Sequence, residues 1–357
     1  MHEINPTESV PGPVPPPVEQ SSRAVKSPPA LNDPWYSGRL IPLDGVLERN
    51  GFSPLITIFG GLIIGLVLFQ GISTVLTFVY ILGIKGVPFS DFQADLEGVL
   101  VEYAGPLIIF NSVGQVLGLL IPGLLFARMH SSKPFQFLRL RKTDIRYVLL
   151  SLLGLIAVFP IVQWIGGAVD SLPWPESVRA FEKAQTDMIQ NILDQNFSLP
   201  FAISMMALTP AICEEVLFRG YVQRQSERIM GIAGGILFSG MIFGLYHLRP
   251  TQAIPLGLLG VYMAYITWRT GSLVPAITVH LANNAFAIFL GKYIQSQGQT
   301  AVDLESIQIP FVFVVVGTLL LAGVIYIFWR MADDDAALHK QAITSGSEVN
   351  AETQRES

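Results

Sequence analysis

The sequence predicts an all-α, polytopic membrane protein with about eight transmembrane helices. Three observations predict it. Of the 357 residues, 51% are hydrophobic and the mean hydropathy is +0.49. Only 14% are charged, against roughly 25% in soluble domains. The apolar residues fall in runs near the roughly 20 residues that cross a bilayer.

Eight runs qualify: 55–84, 105–127, 147–168, 199–218, 230–248, 253–268, 272–291 and 310–329, the sixth being the shortest. They define a transmembrane domain over 54–331. Residues 1–53 contain Pro11-Gly-Pro-Val-Pro-Pro-Pro17 and read as a disordered tail, as do 332–357 with Asp333-Asp-Asp335. The first apolar run starts near Leu55, too far from Met1 for a cleavable signal peptide.

Basic residues orient the chain. With eight spans, one face collects fourteen: Arg39, Arg49, Arg128, Lys133, Arg139, Arg141, Lys142, Arg146, Arg219, Arg224, Arg228, Arg269, Arg330 and Lys340. The other collects Lys85, Arg179, Lys183, Arg249 and Lys292. Both termini are therefore expected in the cytoplasm, with 219–229 a cytoplasmic loop. The membrane fits a bacterial cell envelope, and an organelle equally. The basic residues form no block suited to nucleic acid. A single cysteine, Cys213, excludes an internal disulfide and a Cys-rich metal site.

Several local features are legible. Phe89–Tyr103 and Ser177–Phe197 mix acids with apolar residues at helical spacing and suit helices lying on the bilayer surface. Gly231/Gly235 and Gly240/Gly244 are small-residue pairs for close helix packing. Asn111, Gln115 and Gln163 suit hydrogen bonds between helices. Pro210 removes the bond to the Met206 carbonyl and should kink the fourth span.

That span carries Glu214-Glu215. A buried charge in a bilayer costs about 2.5–3.5 kcal/mol and generally has a partner, a wet cavity or a task. Glu215 and Arg219 are four apart with Glu first, so they should pair. Glu214 is rotated about 100° away on the helix and stays free to act. Phe243 and His247 share a face of the fifth span, as do His280 and Asn284 on the seventh, with Asn283 close by. Which amide turns inward stays open.

These residues suit water activation. A carboxylate out of bulk water is a stronger base, and a histidine can hold the same water. A second histidine and an amide can donate to a developing oxyanion. The reaction would be hydrolysis of a carbonyl compound, a peptide bond above all. Cys213 reads as a small buried thiol.

In order, Glu214-Glu-Val-Leu-Phe-Arg219, Phe243-Gly-Leu-Tyr-His247 and His280-Leu-Ala-Asn-Asn284 resemble the three motifs of the CAAX protease and bacteriocin-processing family, also called Abi or CPBP. That family includes the type II CAAX prenyl endopeptidases. The resemblance covers about 200–290, including the lead-in Arg269-Thr-Gly-Ser-Leu-Val-Pro-Ala-Ile277. It implies an intramembrane endopeptidase acting on membrane-associated peptides or proteins, prenylated tails among them. Glu214 would be catalytic, with His247 sharing the water and His280 with Asn284 forming the oxyanion site. Glu215, Arg219, Phe243 and Asn283 would support them. A zinc version of the same resemblance would take Glu214, His247 and His280 as ligands. Two other classes fit the same polar cluster: a non-catalytic immunity or scaffold protein, and a proton-coupled transporter.

One tension stands. Hydropathy places Glu214 near the cytoplasmic end of its span and His247 near the opposite end of the next. They meet only if the fourth span runs past Arg219, the fifth is shifted, or the helices tilt strongly.

Overall fold

The computed structural model describes residues 30–31, 41–193, 195, 197–297 and 309–331. The chain is built of helices. Six are long and apolar enough to cross a membrane: α2 (Pro54–Ile84), α5 (Ala104–His130), α7 (Ile145–Asp170), α9 (Leu199–Tyr246), α11 (Val274–Ile294, continuing to Ser296) and α12 (Phe311–Met331). Between them lie α1 (Val46–Arg49), α3 (Phe89–Ala94), α4 (Leu96–Glu102), α6 (Pro134–Phe137), α8 (Glu176–Leu193) and α10 (Pro250–Thr270). Strands β1 (Ala30–Leu31) and β2 (Ile41–Pro42) pair antiparallel.

Helix ends follow local chemistry. Pro54 opens α2 and Pro250 opens α10, where a missing N–H costs nothing. Asp144 precedes α7 and accepts the Arg146 N–H at 2.8 Å. Asp95 does the same for α4 through Gly98 N–H at 2.9 Å. Gly271, at φ +58°, ends α10 in the left-handed conformation.

The eight expected spans map onto these helices with two differences. The sixth, α10, is 21 residues long but less apolar than the membrane-crossing six. Its Leu259, Met263, Ala264 and Ile266 are buried in the protein core, so neighbouring helices rather than lipid cover it. The fourth and fifth share α9, which is 48 residues long. A straight helix would separate Phe218 from Tyr246 by about 42 Å. Their rings instead lie 5.1 Å apart. The chain reverses at Gly231, with φ +71° and ψ 176°, leaving arms 199–230 and 232–246 side by side.

The expected loop 219–229 is therefore helix. Its basic residues turn inward: Arg219 and Arg224 are buried, and Arg224 Nε donates to the Phe137 carbonyl at 2.9 Å. Arg228 donates to both Glu48 oxygens, at 2.6 and 3.0 Å. Hydropathy misjudged this stretch because each guanidinium finds an acceptor inside the protein.

Residues 41–53 also depart from the expected tail. Ile41 and Leu43 are buried in the main core, Leu47 is buried as well, and Glu48 lies 2.7 Å from His130 Nδ1. The rest of 1–53, apart from Ala30 and Leu31, lies outside the described residues, as does 332–357.

The glycines divide. Gly240 and Gly244 pack as expected: a β-carbon there would overlap the α10 backbone at Val261, or at Ala253 and Gly257. Gly231 has open space around it and serves the turn instead. Gly235 faces Glu227 of the opposing arm. Of the expected polar contacts between helices, Asn111 and Gln163 are exposed. Gln115 is buried, but its Oε1 has no protein partner. Ser112 makes a cross-helix bond in that region, to the Met205 carbonyl at 3.2 Å.

Candidate active site

Glu214 lies near the middle of the first arm of α9. The helix is locally widened on both sides, with π-type segments at Ile203–Leu208 and Val216–Val222. Such bulges gather at functional sites. Pro210 explains the first: without an N–H it cannot bond the Met206 carbonyl, and the preceding turn opens. Thr209 Oγ1 fills part of the gap by donating to the Ser204 carbonyl at 2.9 Å.

Glu215 and Arg219 pair as their spacing predicts. Arg219 Nη1 donates to Glu215 Oε1 at 3.0 Å, and both side chains are fully buried. Arg219 also donates to the Gly260 carbonyl at 3.2 Å, and its guanidinium lies 4.2 Å from the Phe243 ring centre. Phe243 thus supports the arginine through a cation–π contact. This binds the first arm to the second and to α10.

His280 enters from α11. Its Nδ1 lies 2.8 Å from Glu215 Oε1. Glu215 Oε1 already accepts from Arg219 Nη1, so it accepts here as well and Nδ1 carries the proton. The other nitrogen, Nε2, lies 3.9 Å from Glu214 Oε2, beyond hydrogen-bond distance. The sequence did not announce the His280–Glu215 bond, which links residues 65 apart.

His247 caps the second arm of α9 and is exposed. Its Nδ1 is 2.9 Å from the Phe243 carbonyl, which can only accept, so Nδ1 again carries the proton. In neutral His247 the Nε2 lone pair is left to accept a hydrogen bond. The Phe243 ring touches both imidazoles, at 4.8 Å to His247 and 5.7 Å to His280. The depth conflict resolves itself here. The first arm runs well past Arg219, and the Gly231 turn returns the chain to the same level.

Asn283 and Asn284 are half-buried, one turn beyond His280. Asn283 Nδ2 donates to Asn284 Oδ1 at 3.3 Å. Cys213 is buried. Glu214 Oε2 is buried without a protein hydrogen-bond partner.

Glu214 Oε2 and His280 Nε2 lie 3.9 Å apart. Donors about 2.0–2.2 Å from one tetrahedral zinc lie roughly 3.3 Å apart. Among the described residues, no three His, Cys, Asp or Glu side chains are gathered to hold a metal ion.

Residues 196–286 match the family model described as Type II CAAX prenyl endopeptidase Rce1-like. Over that segment the chain resembles that family. The match contains every motif residue, from Glu214 to Asn284, and agrees with the resemblance read from the motifs. It supports a CAAX-type intramembrane protease in general. No curated protein and no solved structure matches the chain.

Proposed function

We propose that the chain is a glutamate-dependent intramembrane endopeptidase. Its substrates are membrane-associated peptides or proteins, prenylated CAAX-type tails among them. One observation carries the reading: of two adjacent glutamates, the buried Glu215 is engaged on its Oε1 by Arg219 and His280, its Oε2 being unpartnered, whereas the partly buried Glu214 has an unpartnered Oε2 with His280 Nε2 3.9 Å away. A carboxylate kept unpaired in a costly environment is available for chemistry.

In this reading a water sits between Glu214 and the Nε2 lone pair of His247. Glu214 takes a proton from the water as its oxygen attacks the peptide carbonyl carbon. The carbonyl π electrons move to oxygen, and the oxyanion is met by His280 Nε2–H and the Asn284 amide. For Nε2 to donate while Nδ1 donates to Glu215, His280 must be the imidazolium. Collapse of the intermediate breaks the C–N bond, and Glu214 returns its proton to the leaving amine. Glu215, Arg219, Phe243 and Asn283 hold the acting groups in place.

A multi-pass protein with both ends in the cytoplasm, set in a bacterial cell membrane, completes the proposal. Setting aside the inward-turned Arg139, Arg219, Arg224 and Arg228 leaves ten basic residues on the proposed cytoplasmic face against five.

The test is cleavage of a peptide farnesylated on the cysteine of a C-terminal CAAX sequence. Purified wild type is compared with Glu214→Gln, each with and without a strong zinc chelator. Cleavage by wild type that resists chelator and vanishes in the variant supports the mechanism. Cleavage abolished by chelator and restored by zinc would replace it with a metal mechanism. Normal folding without cleavage of lipidated or transmembrane peptides would favour a scaffold. Glu214-dependent proton flux in vesicles would favour a transporter.

A further inference from the structure

The segment joining the arm that carries His247 to α10 is short and strained. Leu248 has φ +55°, a left-handed conformation that crowds the β-carbon of an L-residue. Only Arg249 separates it from Pro250, where α10 begins. Something outside this turn must hold it. Helix α8 supplies two contacts from one face. Glu182, 7% exposed, accepts the Thr251 N–H through Oε1 at 2.8 Å. Four residues on, Thr186 Oγ1 accepts from Arg249 Nη2 at 2.7 Å.

The first contact suits a carboxylate. The opening turn of α10 presents amides with no partner inside the helix, and the helix dipole favours negative charge there. Glu182 therefore fixes where α10 starts. With that end fixed, Leu248 is held in its turn, and His247 stays on the Phe243 ring that His280 also touches.

We propose that Glu182 is a positioning residue for His247, acting through the α10 N-terminus. The proposal rests on the peptidase reading for its effect on turnover, but not for its effect on His247 itself. Helix α8 is then part of the catalytic assembly as well as a surface helix.

The experiment uses the full chain in detergent and two readouts. The first needs no substrate: the rate at which diethylpyrocarbonate modifies His247, followed by mass spectrometry, with buried His130 as internal comparison. Glu182→Ala should raise this rate about threefold or more by freeing the turn, with Glu182→Gln within about twofold of wild type because its amide oxygen still accepts. The second readout is cleavage of the farnesylated peptide. Glu182→Ala should lower kcat about tenfold with KM little changed, and Glu182→Gln should restore most of the loss. Thr186→Val, which removes only the second contact, should shift both readouts the same way but less. It carries the test if Glu182→Ala does not fold. Unchanged His247 reactivity in folded Glu182→Ala and Thr186→Val would overturn the proposal. So would a Gln variant as impaired as the Ala variant. A His247 response in a wild type that cleaves nothing would sustain the positioning role and count against the peptidase.

Discussion

His280 Nδ1 lies 2.8 Å from Glu215 Oε1, while its other nitrogen lies 3.9 Å from Glu214 Oε2. The two neighbouring glutamates are therefore unequal. Glu215 anchors the imidazole, and Glu214 faces its unanchored edge.

This inequality predicts opposite phenotypes. Glu215→Gln leaves Arg219 buried without its counter-charge and should destabilise the protein by about 3–5 kcal/mol. Glu214→Gln removes a partly buried charge with one unpartnered oxygen, so stability should be equal or slightly greater while cleavage is lost. Thermal unfolding in detergent, alongside peptide cleavage, separates the two. Equal destabilisation by both would contradict the assignment.

Arg219→Lys should not be conservative. The guanidinium pairs with Glu215, reaches the Gly260 carbonyl and stacks on Phe243 at once. A lysine keeps the charge but loses the planar fork. We expect a loss of about 1–3 kcal/mol, read from the unfolding midpoint. Wild-type stability in the lysine variant would show that the stacked geometry is idle.

Gly231→Ala should cost about 1–3 kcal/mol, since φ +71° with ψ 176° is a region open essentially to glycine alone. The space around it is empty, so the cost is conformational and not steric. Gly244→Ala should fail for the opposite reason, its β-carbon meeting the Ala253 carbonyl and Gly257 backbone. Unfolding of both variants is the check. A tolerated Gly231→Ala would mean that the hairpin turn can relax.

Acid should loosen the anchor formed by α1. Burial alone would raise the pKa of Glu48, but hydrogen bonds from His130 and Arg228 outweigh it and hold the value at about 2, below its ordinary 4.5. A depressed carboxylate stabilises the fold fully above its unfolded pKa, and that contribution fades as pH falls from about 4.5 through 2. Glu48→Gln should flatten this part of the stability–pH curve. An unchanged slope would locate the acid sensitivity elsewhere.

The legible part of this protein was its local pattern. Apolar runs located the helices, and i,i+4 spacing found the Glu215–Arg219 pair. Contacts between distant residues were not legible. Glu48 meets Arg228 across 180 residues and His130 across 82, so α1 looked like tail. Arg219, Arg224 and Arg228 lowered local hydropathy and looked like a loop; Arg224 and Arg228 find acceptors far off in the chain, and Arg219 pairs with Glu215 inside the helix. Gly231 fitted a small-residue packing pattern, and its backbone angle was invisible to that pattern. The motif residues were found by order and type, but the choice of Glu215 as the anchor of His280 needed three dimensions.

The Gly231 hairpin also implies an order of assembly. Its arms meet through residues such as Phe218 and Phe243, only 25 positions apart, so they can join soon after synthesis. His280 arrives later, on α11. We therefore expect a nascent chain ending before α11 to hold Glu214 in a formed hairpin yet cut nothing. Stalled membrane-inserted chains ending at Leu273 would check this, and cleavage by them would refute it. Such a delay would make the protein a latent enzyme during its own biogenesis, harmless to neighbouring membrane proteins until the last helices close.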